Sequence, residues 1–257
     1  MSPTRGRRRL IAGNWKLQLG PAKAAAHAAA LRDRVLAVED VDLAVFPTAM
    51  SIPAVVDTLK RSNLRVGVQW TSAHAEGAYT GANSPAMARE VGCGWVLCGH
   101  SEVRGDFGET DSRVHAAIRG GLKHGLLPML CVGESVEERA AGRLREVLER
   151  QLEVAYGSLH ADEAATITIA YEPLWAIGTG VTATPDKAQE AHAVLRKWLL
   201  GRFPEFVAAQ TRVLYGGSVK ASNIAGLLAC PDVDGALVGG ASLDVDAFCA
   251  IVDAARR

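Results

Sequence analysis

The chain has 257 residues, 49% of them hydrophobic and 22% charged, and its 28 basic and 28 acidic side chains leave no formal net charge. That balance argues against a nucleic-acid or membrane partner recruited by charge, and no apolar run approaches the ~20 residues of a membrane span. The length suits one large domain with a full core, and an α/β barrel takes about 250 residues.

A basic cluster at 5–9 opens the chain. No apolar stretch of secretory type follows it, so residues 1–9 read as a flexible, solvated extension rather than a signal. Eight short apolar runs come next: Leu10–Asn14, Asp42–Phe46, 64–69, Trp95–Cys98, 127–131, 166–171, 212–215 and Gly235–Val238. Near-continuous apolar runs are what strands become when both faces of a parallel sheet are covered. Amphipathic stretches at 22–38, 111–124, 136–156 and 185–199 lie between them. The last opens on Thr184, Pro185 and Asp186, an N-cap followed by proline at the first helical position. Strand and helix alternate, so the class is α/β. Eight repeats in this length, with no linker or low-complexity tract, predict one eight-stranded parallel (β/α)8 TIM barrel spanning the chain.

Cysteines stand at 93, 98, 131, 230 and 249. The odd count, apolar neighbours and lack of a Cys-x-x-Cys pair argue against a disulfide framework or zinc site and suit a reducing, cytoplasmic setting. The seven histidines form no His-Glu-x-x-His pattern, so no metal is expected. Gly178, Gly180 and Ala183 match a loose dinucleotide fingerprint, but the position where a second strand should supply an acid is helical, so no nucleotide cofactor is expected either.

Chemistry in such a barrel sits at the C-terminal strand ends. There the chain places Asn14, Trp15 and Lys16; Gly99, His100, Ser101 and Glu102; Gly133 and Glu134; Glu172; Gly216, Gly217 and Ser218; and Gly239 and Gly240. An arbitrary glutamate at a strand end often does no more than cap it. Glu172, however, is followed by a Gly/Thr/Ala-rich, lid-like loop. A carboxylate beneath Trp175 and Ile177 loses water when such a loop closes, which raises its proton affinity and makes it a stronger base. His100 stands where a polar turn or short helix begins, and a helix N-terminus beneath it disfavours imidazolium. A neutral imidazole could then donate to a carbonyl or enediolate oxygen. Lys16, otherwise an ordinary solvated lysine, stands where a cation would bind an anionic substrate and stabilise developing charge. The glycine pairs 216–217 and 239–240 could be simple turns, but they also let backbone N–H groups approach an oxyanion closely. Their place after strands seven and eight is a phosphate position in these barrels, and Ser218 and the Gly178 amide could complete the cradle.

Several blocks in order resemble the triosephosphate isomerase family: Gly-Asn-Trp-Lys at 13–16, Gly-Ala-Tyr-Thr-Gly at 77–81, Gly-His-Ser-Glu at 99–102, Cys-Val-Gly-Glu at 131–134, Ala-Tyr-Glu-Pro-Leu-Trp-Ala-Ile-Gly-Thr-Gly at 170–180, Tyr-Gly-Gly-Ser-Val at 215–219 and Gly-Gly-Ala-Ser-Leu at 239–243. The resemblance covers nearly the whole chain. It implies interconversion of dihydroxyacetone phosphate and D-glyceraldehyde 3-phosphate without a cofactor. Glu172 would be the base, His100 would polarise the carbonyl and shuttle protons, and Lys16 and Asn14 would bind substrate. Gly178, Ser218, Gly239 and Gly240 would hold the phosphate. Glu102 would organise the lysine. In a closed lid, Tyr215 would pair with Ala183 and Ser218 with Gly180. The family's ion pair near the lid would map to Arg196 and Asp232. A homodimer would seat a loop around Thr80 beside the neighbour's Asn14 and Lys16.

Some positions depart from the family pattern: Gln18, Trp70, Ala82, Val103 and Val181. None removes a catalytic group. Most fall at the expected subunit contact, where Trp70 and Val103 are expected to exchange polar for apolar contacts. The same machinery would also serve a four-carbon ketose phosphate if the pocket admitted it. A silent phosphate-binding paralogue would not need Asn14, Lys16, His100, Glu102 and Glu172 together.

Overall fold

The protein is seen in a computed structural model that describes residues 7–176 and 183–256. Eight parallel strands close in sequence order: β1 (Leu10–Asn14), β2 (Asp42–Phe46), β3 (Leu64–Val68), β4 (Trp95–Cys98), β5 (Leu127–Val132), β6 (Thr168–Tyr171), β7 (Val213–Tyr215) and β8 (Gly235–Val238). Closure pairs Leu10 with Gly235 and Gly13 with Val238. Helices follow the strands on the outside, and the expected (β/α)8 barrel is what the chain forms.

Alternation along each strand splits the core in two. Leu10, Ala12, Ala44, Phe46, Leu97, Met129, Ala170, Leu214 and Leu237 fill the barrel interior. Ile11, Leu43, Val45, Val66, Val96, Leu130, Ile169 and Val238 pack outward against the helices. Each such side chain, fully buried, contributes about 1.5–3 kcal/mol relative to exposure. Small and large residues interlock in the interior: a Cβ on Gly67 would come within 2.3 Å of the Phe46 ring.

The apolar pattern at 136–156 does not make one helix. It breaks into Val136–Ala140 and Leu144–Tyr156, with Gly142 at φ +70° between them. The first piece starts from a capping box in which Ser135 and Glu138 satisfy each other's backbone N–H groups. Most other predicted boundaries coincide with the observed ones, as for Leu10–Asn14 and Asp42–Phe46, and the rest move by one to three residues.

The described part of the N-terminal basic cluster, Arg7 to Arg9, is held in place by partners, and residues 1–6 lie outside the described residues. Arg7 is buried, and its Nε donates to Asp234 at 2.8 Å. Arg8 pairs with Asp42 at 2.7 Å, and Arg9 donates to the Ala255 carbonyl at 2.8 Å. Closure explains this, because β8 lies beside β1 and brings residue 234 under residue 7. Arg196 shares the same acid at 2.8 Å, so two guanidinium groups flank one carboxylate at the N-terminal end of the barrel. The expected partner of Arg196, Asp232, stands farther away at 3.5 Å.

Candidate active site

Glu172 leaves β6 into the barrel mouth and is 2% exposed. Its backbone N–H donates to Val132 at 2.7 Å, which ties the residue to the end of β5. Oε1 lies 3.1 Å from His100 Nε2, and Oε2 accepts from the Ser101 N–H at 2.9 Å. Cys131, on the neighbouring strand, has its thiol pushed well up by burial and by this nearby acid.

His100 is the N-cap of the helix Ser101–Asp106, and its Nδ1 accepts from the Glu102 N–H at 3.3 Å. A ring nitrogen that accepts from a backbone amide carries no proton, so the proton of the neutral ring lies on Nε2. Nε2 faces both Glu172 and the Asn14 amide, the latter at 3.2 Å. The expectation of a helix start beneath the imidazole is met in this geometry.

Lys16 has φ +52°, a left-handed conformation that non-glycine residues rarely adopt. Both of its backbone groups are held. Its N–H donates to Asn14 Oδ1 at 3.0 Å, and its carbonyl accepts from Gln69 Nε2 at 2.8 Å. Over-determination of this kind lets strain persist at a functional loop. The side chain reaches Glu102 at 2.6 Å. Asn14, Lys16, His100, Glu102 and Glu172, drawn from three loops, therefore meet at one end of the barrel.

Gly99, just before His100, is clamped in the same way. Its N–H donates to Glu109 Oε2 at 3.1 Å, and its carbonyl accepts from Arg104 Nε at 2.7 Å. Its φ is +77°, and a Cβ there would meet Arg104 at 2.7 Å, so only glycine fits. Arg104 also reaches Asp111 at 2.5 Å.

The glycines after β7 and β8 stand against the same cluster. A Cβ on Gly216 would come within 3.0 Å of Glu172 Cγ, and one on Gly217 within 3.0 Å of Pro173. A Cβ on Gly239 would lie 3.3 Å from Lys16 Cε. The loop bearing Ser218 is fixed by Asn223, whose amide donates to the Ser218 carbonyl at 3.0 Å. Gly240 opens the short helical turn Gly240–Leu243. Gly178 and Gly180, and with them the expected Ser218–Gly180 pair, lie outside the described residues. Tyr215 and Ala183 are described, and the Ala183 N–H stands beside the Tyr215 hydroxyl as expected, though short of a well-formed hydrogen bond. Burial raises its pKa, while the nearby Ala183 N–H acts in the opposite direction.

Beneath Glu172 is a layer that reading the sequence left without a role. Glu134 is fully buried, and its Oε1 accepts from Tyr171 Oη at 2.9 Å and Trp175 Nε1 at 2.8 Å. Burial raises its pKa, and the two donors oppose the rise. Lys187 lies 5.1 Å over the Trp175 ring. Gln69, Arg104 and Glu109 went equally unassigned. Gln69 stands at the end of an apolar run and Arg104 and Glu109 lie in the polar segment after β4, positions that do not reveal their partners.

Trp70 corrects a further expectation. Its position was expected to trade a polar contact for an apolar one, yet its indole N–H donates to Glu109 Oε1 at 2.7 Å. Among the described residues no cluster of His, Cys, Asp and Glu is arranged to hold a metal ion, and no helix is long and apolar enough to cross a membrane.

This chain is similar to known proteins along nearly its whole length. A family model described as Triosephosphate isomerase matches residues 9–255. The triosephosphate isomerase of Carboxydothermus hydrogenoformans is 46% identical over 246 residues, covering 96% of this chain and 98% of the relative. Those of Syntrophotalea carbinolica and Pseudomonas putida are each 45% identical, covering 96% and 97% of this chain and 98% and 99% of the relatives. With the fold, the clustered strand-end residues and this similarity in agreement, the chain belongs to the triosephosphate isomerase family.

Proposed function

We propose that the protein interconverts dihydroxyacetone phosphate and D-glyceraldehyde 3-phosphate through an enediolate. The observation that carries this reading is the buried Glu172 carboxylate 3.1 Å from a histidine whose neutral ring presents its proton on Nε2. In the aldehyde-to-ketone direction, Glu172 takes the C2 proton and delivers it to C1. His100 donates to the carbonyl oxygen as negative charge builds there and moves the proton between the two oxygens. Lys16 and Asn14 bind the substrate and stabilise the enediolate, and Glu102 orients the ammonium. The amides of Gly178, Gly239 and Gly240, with Ser218, hold the phosphate. The carboxylate's bonds to Ser101 and His100 give way as it turns toward the substrate carbon. No cofactor takes part in this chemistry.

We further infer a homodimer in the cytoplasm. Leu17, Met50, Tyr79, Met87 and Phe107 are exposed large hydrophobic side chains, all on segments that follow β1 to β4. Where such side chains adjoin they suit a protein interface, and sedimentation equilibrium reads the subunit count directly.

A coupled assay with glyceraldehyde 3-phosphate tests the function. Fast turnover that falls sharply in Glu172→Asp is the expected result. Turnover of a four-carbon ketose phosphate and not the triose would move the assignment to a sister isomerase.

A further inference from the structure

Two consecutive residues leaving β3 brace the two loops that carry the cluster. Gln69 donates to the carbonyls of Lys16 at 2.8 Å and Phe46 at 2.9 Å. Trp70 donates to Glu109, whose other oxygen takes the N–H of Gly99. Glu109 is buried, which raises its pKa, and the Trp70 indole, Arg104 and the Gly99 N–H oppose the rise, so both its oxygens depend on these donors. The carbonyl of Trp70 in turn accepts from Asn83 Nδ2 at 3.1 Å, and the Asn83 carbonyl accepts from the Ser72 N–H at 2.9 Å. A continuous run of hydrogen bonds therefore passes from the 70–83 loop through the indole and the Glu109 carboxylate to the peptide next to His100.

We propose that Trp70 is a positioning residue for His100, acting through the Trp70–Glu109–Gly99 hydrogen bonds. The indole fixes the carboxylate, the carboxylate fixes the Gly99 N–H, and Arg104 fixes the Gly99 carbonyl. With both groups held, the left-handed turn at Gly99 directs the imidazole at Glu172. Loss of the indole donor frees Glu109 to rotate toward Arg104, and the Gly99 peptide loses its fixed partner. The role of His100 in turnover rests on the isomerase reading above, whereas its orientation does not.

The test uses the full chain as Trp70→Phe, Glu109→Gln and the double variant. Trp70→Phe keeps the ring and removes the donor. Its kcat for glyceraldehyde 3-phosphate is expected to fall on the order of tenfold with KM within about twofold, as for a displaced catalytic group rather than lost substrate binding. The 15N resonances of the His100 ring shift in the same variant. The double variant loses no more than the worse single one, because both break the same run of bonds. Parent-like kcat with unmoved His100 resonances in folded Trp70→Phe overturns the proposal, and so do losses that multiply in the double variant. If Trp70→Phe does not fold, Glu109→Gln carries the same readouts. A parent protein inactive on triose phosphates would sink the isomerase reading alone, since the resonance comparison still decides the role of Trp70.

Discussion

Gly133 never touches substrate in this account, yet one added methyl there should disable the site. A Cβ at Gly133 would lie 1.8 Å from the Glu172 carbonyl oxygen and 2.9 Å from Leu174 Cδ1. Real Cβ contacts essentially never fall below 3.0 Å, so the backbone at Glu172 or at Gly133 must retreat by about 1.2 Å. Neither is free to do so. The Glu172 N–H is bonded to Val132, and the side chain of Gln151 bonds both the N–H and the carbonyl of Gly133, at 2.9 and 3.1 Å. Overpacking of this kind costs about 1–3 kcal/mol of stability. The larger effect is on the reaction, where a misplacement of about 1 Å can lower the rate on the order of a hundredfold. Gly133→Ala should therefore fold, melt at a lower temperature, and show a kcat reduced by about that factor, with KM changed much less. The assay is steady-state kinetics beside thermal unfolding followed by circular dichroism. A folded Gly133→Ala protein with kcat within threefold of the parent would refute the reasoning, because Glu172 would then tolerate the displacement.

Asp234→Asn should leave Arg7 buried without a counter-charge and Arg196 with only Asp232 at 3.5 Å, and cost about 3–5 kcal/mol, readable by urea unfolding. His192 is fully buried, and desolvation holds its pKa down to about 4. The folded state thus keeps this ring neutral where the unfolded chain, at about 6.5, takes up a proton. Its contribution of about 3 kcal/mol is present above pH 6.5 and is lost as pH falls toward 4, so His192→Gln should flatten the acid limb of a stability–pH curve. Burial pushes the Cys93 thiol up to about 12 and also raises Cys98 and Cys131. Because the thiolate is the reactive form, these three should resist iodoacetamide at pH 8 until denaturant is added. Rapid labelling of Cys131 in the native protein, detected by mass spectrometry, would contradict its full burial beside Glu172.

The fold was legible because its strands are buried on both sides, and a run such as Asp42–Phe46 reads as apolar whichever face is considered. Glu172, His100 and Lys16 were legible because strand ends locate chemistry in a barrel. What holds them was not legible. The partner of Gln69 is 53 residues away, and that of Trp70 is 39 residues away, across loops whose paths only the closed barrel defines. Trp70 also misled by composition, since an aromatic residue suggests apolar contact while its N–H does the bonding here. Arg7 looked solvated for the same reason, with its acid 227 residues distant until β8 closes against β1. The single helix expected at 136–156 failed differently. Its apolar periodicity runs through the break, and the left-handed turn at Gly142 outweighs it locally.

The proposed role of Glu172 is to move a carbon-bound proton by way of an enediolate. Turnover of glyceraldehyde 3-phosphate in D2O, with proton NMR of the dihydroxyacetone phosphate formed, tests it most directly. Solvent deuterium is expected at C1 of the product, because a proton resting on a carboxylate exchanges with solvent before it is delivered. A product carrying only the substrate's own hydrogen at C1 would contradict it, pointing to direct hydride transfer in which the carboxylate has no part.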